Sequence, residues 1–229
     1  MRVTNSMITR QIISDINKGM YNVQKTQEKI SSGKQISSLS DDPTGAVTVL
    51  SYKSDKASIE QYQTNITSAS DWLTSTTEQI SSMEDILLDV MDMGSEGMSD
   101  LSDSTSKASL GEQVNQYLLE LIDISNSKSG SNYIFGGNQT LNIPFTGTDT
   151  DADGLIDQVT ANANGVDGEL SRTIGTNQSM VINSKGTTVF QPDGTGSNSD
   201  LFDAVIQLRD LLNSGAASAD IETQVNRLE

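Results

Sequence analysis

The sequence predicts an α+β fold: an elongated rod of long, heptad-bearing antiparallel helices with a small β-rich domain inserted in it. Three observations carry that prediction. From Tyr52 to Val90 apolar residues keep a 3-4 alternation over the whole stretch. Shorter frames of the same period lie on either side. Between residues 133 and 198 that period vanishes, and short apolar pairs stand between Gly, Asn and Asp turns.

Taken in order, the first element spans Ser6 to Ser32, where Ile13, Ile16, Met20, Val23 and Ile30 share one frame with Gln27. This is an amphipathic helix. Gly33 stops it, because glycine enters the left-handed conformation without strain. After the polar stretch Lys34 to Ser40 the chain restarts at Ser40-Asp41-Asp42-Pro43. Asp42 is a good N-cap and Pro43 a good first helical residue, so these aspartates cap a helix rather than catalyse a reaction.

The central helix then carries Tyr52, Ile59, Tyr62, Ile66, Ala69, Leu73, Ile80, Met83, Leu87 and Val90, with Asp55 and Thr76 as the two polar members of the frame. At about 1.5 Å per residue this stretch is roughly 58 Å long, and its stripe needs cover from other helices along its length. Trp72 and Ile86 sit beside the stripe and widen it beyond a two-stranded seam. Tyr62, Leu73, Ile80 and Leu87 are expected in the core. The helix ends between Gly94 and Gly97.

A third helix from Ser104 to Lys128 shows Leu110, Val114, Tyr117, Leu121 and Ile124 in the same frame. Ser109 and Glu112 have capping-box spacing, while Gly111 beside Leu110 leaves its start open. Ser129-Gly130-Ser131-Asn132 ends it. The apolar pairs Ile134-Phe135, Ile143-Pro144-Phe145, Leu155-Ile156, Met180-Val181-Ile182 and Val189-Phe190 read as short strands between turns. Asp200 to Asn213 restores a helix with Leu201, Phe202, Val205, Leu208, Leu211 and Leu212. Beyond Gly215, Ile221, Val225 and Leu228 open another seam that stops at Glu229 without a cap, as a helix cut in its first turns would.

Composition narrows the function classes. With 34% hydrophobic and only 4% aromatic residues among 229, a rod with one small domain fits better than one large globule. A net charge of -17 leaves no basic patch for nucleic-acid phosphates or an anionic membrane surface. Cysteine and histidine are both absent, which removes disulfides, Cys/His zinc sites, thiol nucleophiles and imidazole acid-base chemistry. No apolar run reaches membrane-spanning length, and Met1 to Arg10 lacks the hydrophobic core of a secretory signal.

The sharpest chemical motif is Asp149-Thr150-Asp151-Ala152-Asp153-Gly154-Leu155-Ile156-Asp157. Asp149, Asp151, Asp153 and Asp157 stand at positions 1, 3, 5 and 9 of a calcium loop, with Gly154 at position 6. Position 12 is Thr160 rather than a bidentate Glu. The stretch is either a partial calcium site or a solvated Asp/Gly turn. Ser31-x-x-Lys34 has the spacing of a serine acylase motif, but the spacing recurs at Ser104/Lys107 and Ser125/Lys128 and is chance in so serine-rich a chain. Gly194-Thr195-Gly196 lacks the context of a phosphate loop and is a turn.

Several motifs taken together resemble one family. Met1-Arg2-Val3-Thr4-Asn5-Ser6-Met7, Ser31-Ser32-Gly33-Lys34, Ser40-Asp41-Asp42-Pro43-Thr44-Gly45-Ala46 and Asn132-Tyr133-Ile134-Phe135-Gly136-Gly137 occur in the order found in the flagellin superfamily. Ile174-Gly175, Gly186-Thr187-Thr188-Val189-Phe190 and Asp200-Leu201-Phe202 fit the same template. Within the superfamily the chain is similar to the second hook-filament junction proteins. Flagellin shares the Ser-Ser-Gly turn and paired aspartates but usually lacks the proline at Pro43 and the Tyr-Ile-Phe-Gly segment.

The resemblance implies a structural protein, not an enzyme, whose terminal helices associate into a coiled-coil tube within a ring or helical homo-oligomer. It implies export through the flagellar type III apparatus with the help of a chaperone, and a secreted, extracellular place in the bacterial flagellum. The implied neighbours are the first hook-filament junction protein and flagellin, and no cofactor is required; calcium is the one ion the motif above admits. Residues 1-42 are then an N-terminal assembly helix with the export region. Residues 43-135 with 198-229 form the helical rod, its C-terminal helix truncated, and 136-197 the β-rich outer domain. Because that C-terminal helix is the natural partner of the first, Ile13, Ile16, Met20, Val23 and Ile30 are expected to form a contact between subunits. The alternatives are a short flagellin and a calcium-dependent secreted carbohydrate-binding or hydrolytic module on a coiled-coil stalk. The last would need a cleft with paired carboxylates.

Overall fold

The computed structural model describes residues 5-36, 38-99 and 103-228. The motif residues Met1 to Thr4 and the final Glu229 lie outside the described residues. The fold is α+β, and the chain forms two compact units, residues 1-61 and 62-229.

In the first unit, helix α1 (Asn5–Ser32) follows the 3-4 frame and stops at Gly33, whose φ of 65° is the left-handed stop expected of glycine. Helix α2 (Pro43–Gly97) begins in this unit. The Asp42 carboxylate accepts the amide of Gly45 at 3.0 Å, and Pro43 opens the helix where its missing N-H leaves nothing unpaired. Lys25 of α1 meets Asp41 at 2.7 Å. That ion pair, above all through its hydrogen bond, raises the Lys25 pKa.

The second unit holds the rest of α2 and all remaining elements. Helix α3 (Ser104–Ser125) starts from Asp103, which accepts the Ser106 amide at 2.7 Å. The capping-box pair Ser109 and Glu112 therefore lies inside the helix and caps nothing. The helix also stops earlier than its frame suggests. Lys128, expected in its last turn, opens a short hairpin of β1 (Lys128–Ser129) and β2 (Asn132–Tyr133). Asn126 at the helix end explains the change of direction: its side-chain amide both donates to the carbonyl and accepts from the N-H of Phe145, each at 3.0 Å. A side chain committed to another segment's backbone ends the helix there.

Two further hairpins follow, β3 (Phe145–Thr148) with β4 (Gln158–Ala161) and β5 (Ser171–Gly175) with β6 (Gln178–Val181), both antiparallel. Each sheet among the described residues has two strands. The expected strand at Val189-Phe190 is instead helix α4 (Gly186–Phe190), and Leu155-Ile156 lies in the loop between β3 and β4. Helix α5 (Leu201–Ser214) is capped by Asp200, and α6 (Ser218–Leu228) closes the described chain.

The core gathers on α5 and α3, which bury Leu208, Leu212, Val205, Leu118, Leu121 and Val114 together. All four phenylalanines join it. Phe190 lies 5.1 Å from Phe135, 5.2 Å from Phe145 and 5.4 Å from Phe202, measured between ring centres, mostly edge to face as aromatic quadrupoles prefer. One continuous core thus spans segments on both sides of residues 136 and 197. Arg209 is fully buried in it, donating to Asn115 of α3 and to the Ile156 carbonyl while pairing with its neighbour Asp210.

On α2 the buried line is Ala69, Trp72, Thr76, Met83, Ile86 and Val90. Leu73, expected in the core, is 40% exposed, and Tyr62, Ile80 and Leu87 are only partly covered. The reason is the β5-β6 hairpin. Ile182 and Leu170 pack on Trp72 and Ala69, and Asn65 donates to the Thr173 carbonyl at 2.7 Å, so α2 turns its Trp72 side inward.

Candidate assembly surface

Helix α1 presents its apolar stripe to solvent. Ile13 is 53% exposed, Ile16 57%, Met20 69%, Val23 66% and Ile30 78%. Met7, Ile8, Ile12 and Tyr21 beside them are exposed as well. Helix α6 shows the contrast: its Ile221, Val225 and Leu228, on the same heptad spacing, are all buried. A helix whose apolar residues repeat in one frame and meet water leaves about 1.5–3 kcal/mol of transfer free energy unrealised per large side chain. Contiguous apolar surface of that kind marks a binding site. Its chemistry is association: the stripe carries no acid, base or nucleophile.

The start of α2 continues the exposure. Val47, Val49, Leu50, Tyr52 and Ile59 are all more than 40% exposed. Sequence reasoning counted Tyr52 and Ile59 in a seam to be covered and passed over Val47 and Leu50. Their i, i+3 spacing is the signal that would have found them.

The loop between β3 and β4 brings three of the four aspartates of the calcium-like motif together. Carboxylate oxygens of Asp149, Asp151 and Asp153 lie within 4.8 Å of one another, all three residues exposed. Each is engaged with the loop's own backbone: Asp149 accepts the amides of Ala152 and Gly154, Asp151 that of Asp153, and Asp153 that of Leu155. The fourth, Asp157, turns to Thr150 and accepts both its hydroxyl and its amide. Those bonds, the hydroxyl first, hold its pKa below the ordinary value. Thr160, at position 12, sits in β4 with its hydroxyl directed to the Thr146 carbonyl. The loop therefore supplies three converging carboxylates, while the ninth and twelfth positions are committed elsewhere. Asp42 and Pro43 stand at the start of α2 as cap and first residue, with no partner chemistry beyond the helix end.

Comparison with known proteins adds the family. The model of the bacterial flagellin N-terminal helical region matches residues 3–140. The chain belongs to this flagellin family. A curated relative, flagellar hook-associated protein 3 of Salmonella typhimurium strain LT2, is 27% identical over 220 residues, 88% of this chain. The flagellin-family chain spans 63% of that relative's length. Two solved structures share its fold. One, assigned as a flagellar hook-associated protein of Vibrio parahaemolyticus, has a TM-score of 0.70 at 17% identity, covering 83% of this chain and 81% of that one. The other, Bacillus cereus FlgL, has a TM-score of 0.57 at 18% identity over 80% of this chain and 83% of that one. Among the described residues, no helix is long and apolar enough to cross a membrane.

Proposed function

We propose that this flagellin-family chain is a structural component of the bacterial flagellum, a junction protein that adapts the hook to the filament by coiled-coil self-assembly. The observation that carries the reading is the uncovered α1 stripe, Ile13 to Ile30, on a helix the family shares. The mechanism is burial: docking removes the stripe from water, and that gain offsets the entropy of fixing the helix in an assembly. The name of the Salmonella relative supports the junction over a filament subunit, and so do Pro43 and the Tyr133-Ile134-Phe135-Gly136 segment.

On this reading the partners are further copies of the chain in a ring or helical array, the first hook-filament junction protein on one side and flagellin on the other. The flagellar export apparatus and a chaperone deliver the chain, and its place is secreted and extracellular. The high negative charge keeps subunits apart and soluble before assembly. Immunogold labelling of isolated flagella tests the reading: gold confined to a band between hook and filament is the expected result. Label along the whole filament would instead make the chain a flagellin, and unlabelled flagella would remove it from the organelle.

A further inference from the structure

Beside Trp72 the second unit carries an open groove of about 870 Å³ between α2 and the β5-β6 hairpin. Its apolar floor is Ile66, Ala69 and Leu73 on α2, and its far wall Ile174 and Met180 on the hairpin. Ile66, Ala69 and Leu73 are successive members of the 3-4 frame, and Ile66 and Leu73 are 49% and 40% exposed. The groove is thus one edge of a heptad stripe without its helix. Small side chains, Ser70, Thr74, Thr77 and Ser81, line its open side, as close approach of a helix requires. Helix α2 already receives one helix closely: Val225 and Ile221 of α6 rest where Gly94 and Gly97 lack side chains.

Charge selects the occupant. Residues 1-61 hold eight of the 14 Lys and Arg and six of the 31 Asp and Glu, a net +2, which leaves the remaining residues at -19. Between Lys56 and Lys107 there is no basic residue, while 57-97 carries eight acidic ones. Asp71 and Glu78, one heptad apart, run along the groove, and Glu78 lines it. Helix α1 carries Arg10, Lys18, Lys25 and Lys29 against Asp15 and Glu28. Its stripe from Ile13 to Ile30 is about 26 Å long, and the groove from Ile66 to Ser82 about 24 Å, at about 1.5 Å per residue.

We infer that the α2-hairpin groove of one subunit receives the α1 stripe of a second copy of the chain, a head-to-tail contact steered by opposite charge. The inference rests on the reading of α1 as an assembly surface and names what that surface meets. Because the two halves of the contact differ, it propagates from copy to copy instead of closing on itself.

Sedimentation of the full chain and two single variants tests it. Ile16→Asp disables the stripe and Leu73→Asp the groove; both sites are exposed, so both variants keep the wild-type melting curve. The wild type self-associates, more weakly at high salt. Each variant alone loses association by at least about tenfold. Mixed together they form a heterodimer, because one retains the groove and the other the stripe. Met180→Asp on the opposite wall gives the same complementation if Leu73→Asp is misfolded. Trp72, the one tryptophan of the chain, reports groove occupation by fluorescence in the mixture. Undiminished association of Leu73→Asp and Met180→Asp, with Ile16→Asp inactive, would overturn the groove and leave the stripe standing. Undiminished association of Ile16→Asp would remove the stripe itself. A wild type that stays monomeric up to about 1 mM would overturn the contact.

Discussion

Val225 of α6 packs its Cγ2 into the space that Gly94 of α2 leaves for want of a side chain; a Cβ built there would overlap the methyl. Valine is stiff at χ1 and cannot easily swing away. Gly94→Ala gains up to about 1 kcal/mol of helix propensity yet overpacks the contact by about 1–3 kcal/mol. The expected outcome is a net loss of about 1–2 kcal/mol in urea unfolding, with Val225→Ala restoring part of it in the double variant. A Gly94→Ala chain more stable than wild type would show that α6 does not rest there.

Arg209 ties three elements from inside the core. It is 1% exposed and donates to Asn115 and the Ile156 carbonyl, which Arg209→Ala would leave without their donor. Chemical denaturation should register a loss of about 3 kcal/mol. Arg209→Lys should recover less than half of it, since an ammonium cannot reproduce the planar fork.

The Asp157-Thr150 contact makes a prediction about acid. Asp157 has a folded pKa below its ordinary 3.8, owing first to the Thr150 hydroxyl and then to its amide. A depressed carboxylate contributes stability that is fully present above its unfolded pKa and fades as pH falls through the folded one. Thr150→Val should bring the Asp157 carboxyl resonance in an NMR titration up towards 3.8, and leave stability at pH 7 nearly unchanged relative to the shift seen near pH 3.

Calcium gives a sharper test of the same loop. Its aspartates are spent on loop amides, Asp157 faces Thr150, and Thr160 faces Thr146. We expect millimolar calcium to leave the melting temperature unchanged. A rise with calcium that Asp151→Asn abolishes would instead make the loop a cation site.

Helices with a sustained period were legible in the sequence because the 3-4 frame is a direct imprint of burial on one face. The starts of α2 and α5 were legible from Asp42-Pro43 and Asp200, where one side chain settles the geometry. The end of α3 was not, because Asn126 takes its partner from Phe145, 19 residues away. The choice between Trp72 and Leu73 was equally closed to local reading. Both make a 3-4 frame with Ala69 and Thr76, and only the hairpin residue Ile182 decides which is covered. That choice opened the groove. The α1 stripe, by contrast, was visible in full, since nothing distant in the chain competes for it. Arg209 left no local signal at all: a lone cation among leucines reads as a surface residue until α3 and the β3-β4 loop close over it.

The central claim is that the α1 stripe joins subunits. Ile16→Asp, introduced into the chain in the bacterium, tests it most directly, with motility and immunolabelled flagella as the readouts and the purified protein's melting curve as the control. Ile16 is 57% exposed in the single chain, so the melting curve should stay within about 0.5 kcal/mol of wild type. Incorporation and motility should be lost. A variant that labels the hook-filament junction and swims as wild type does would contradict the account.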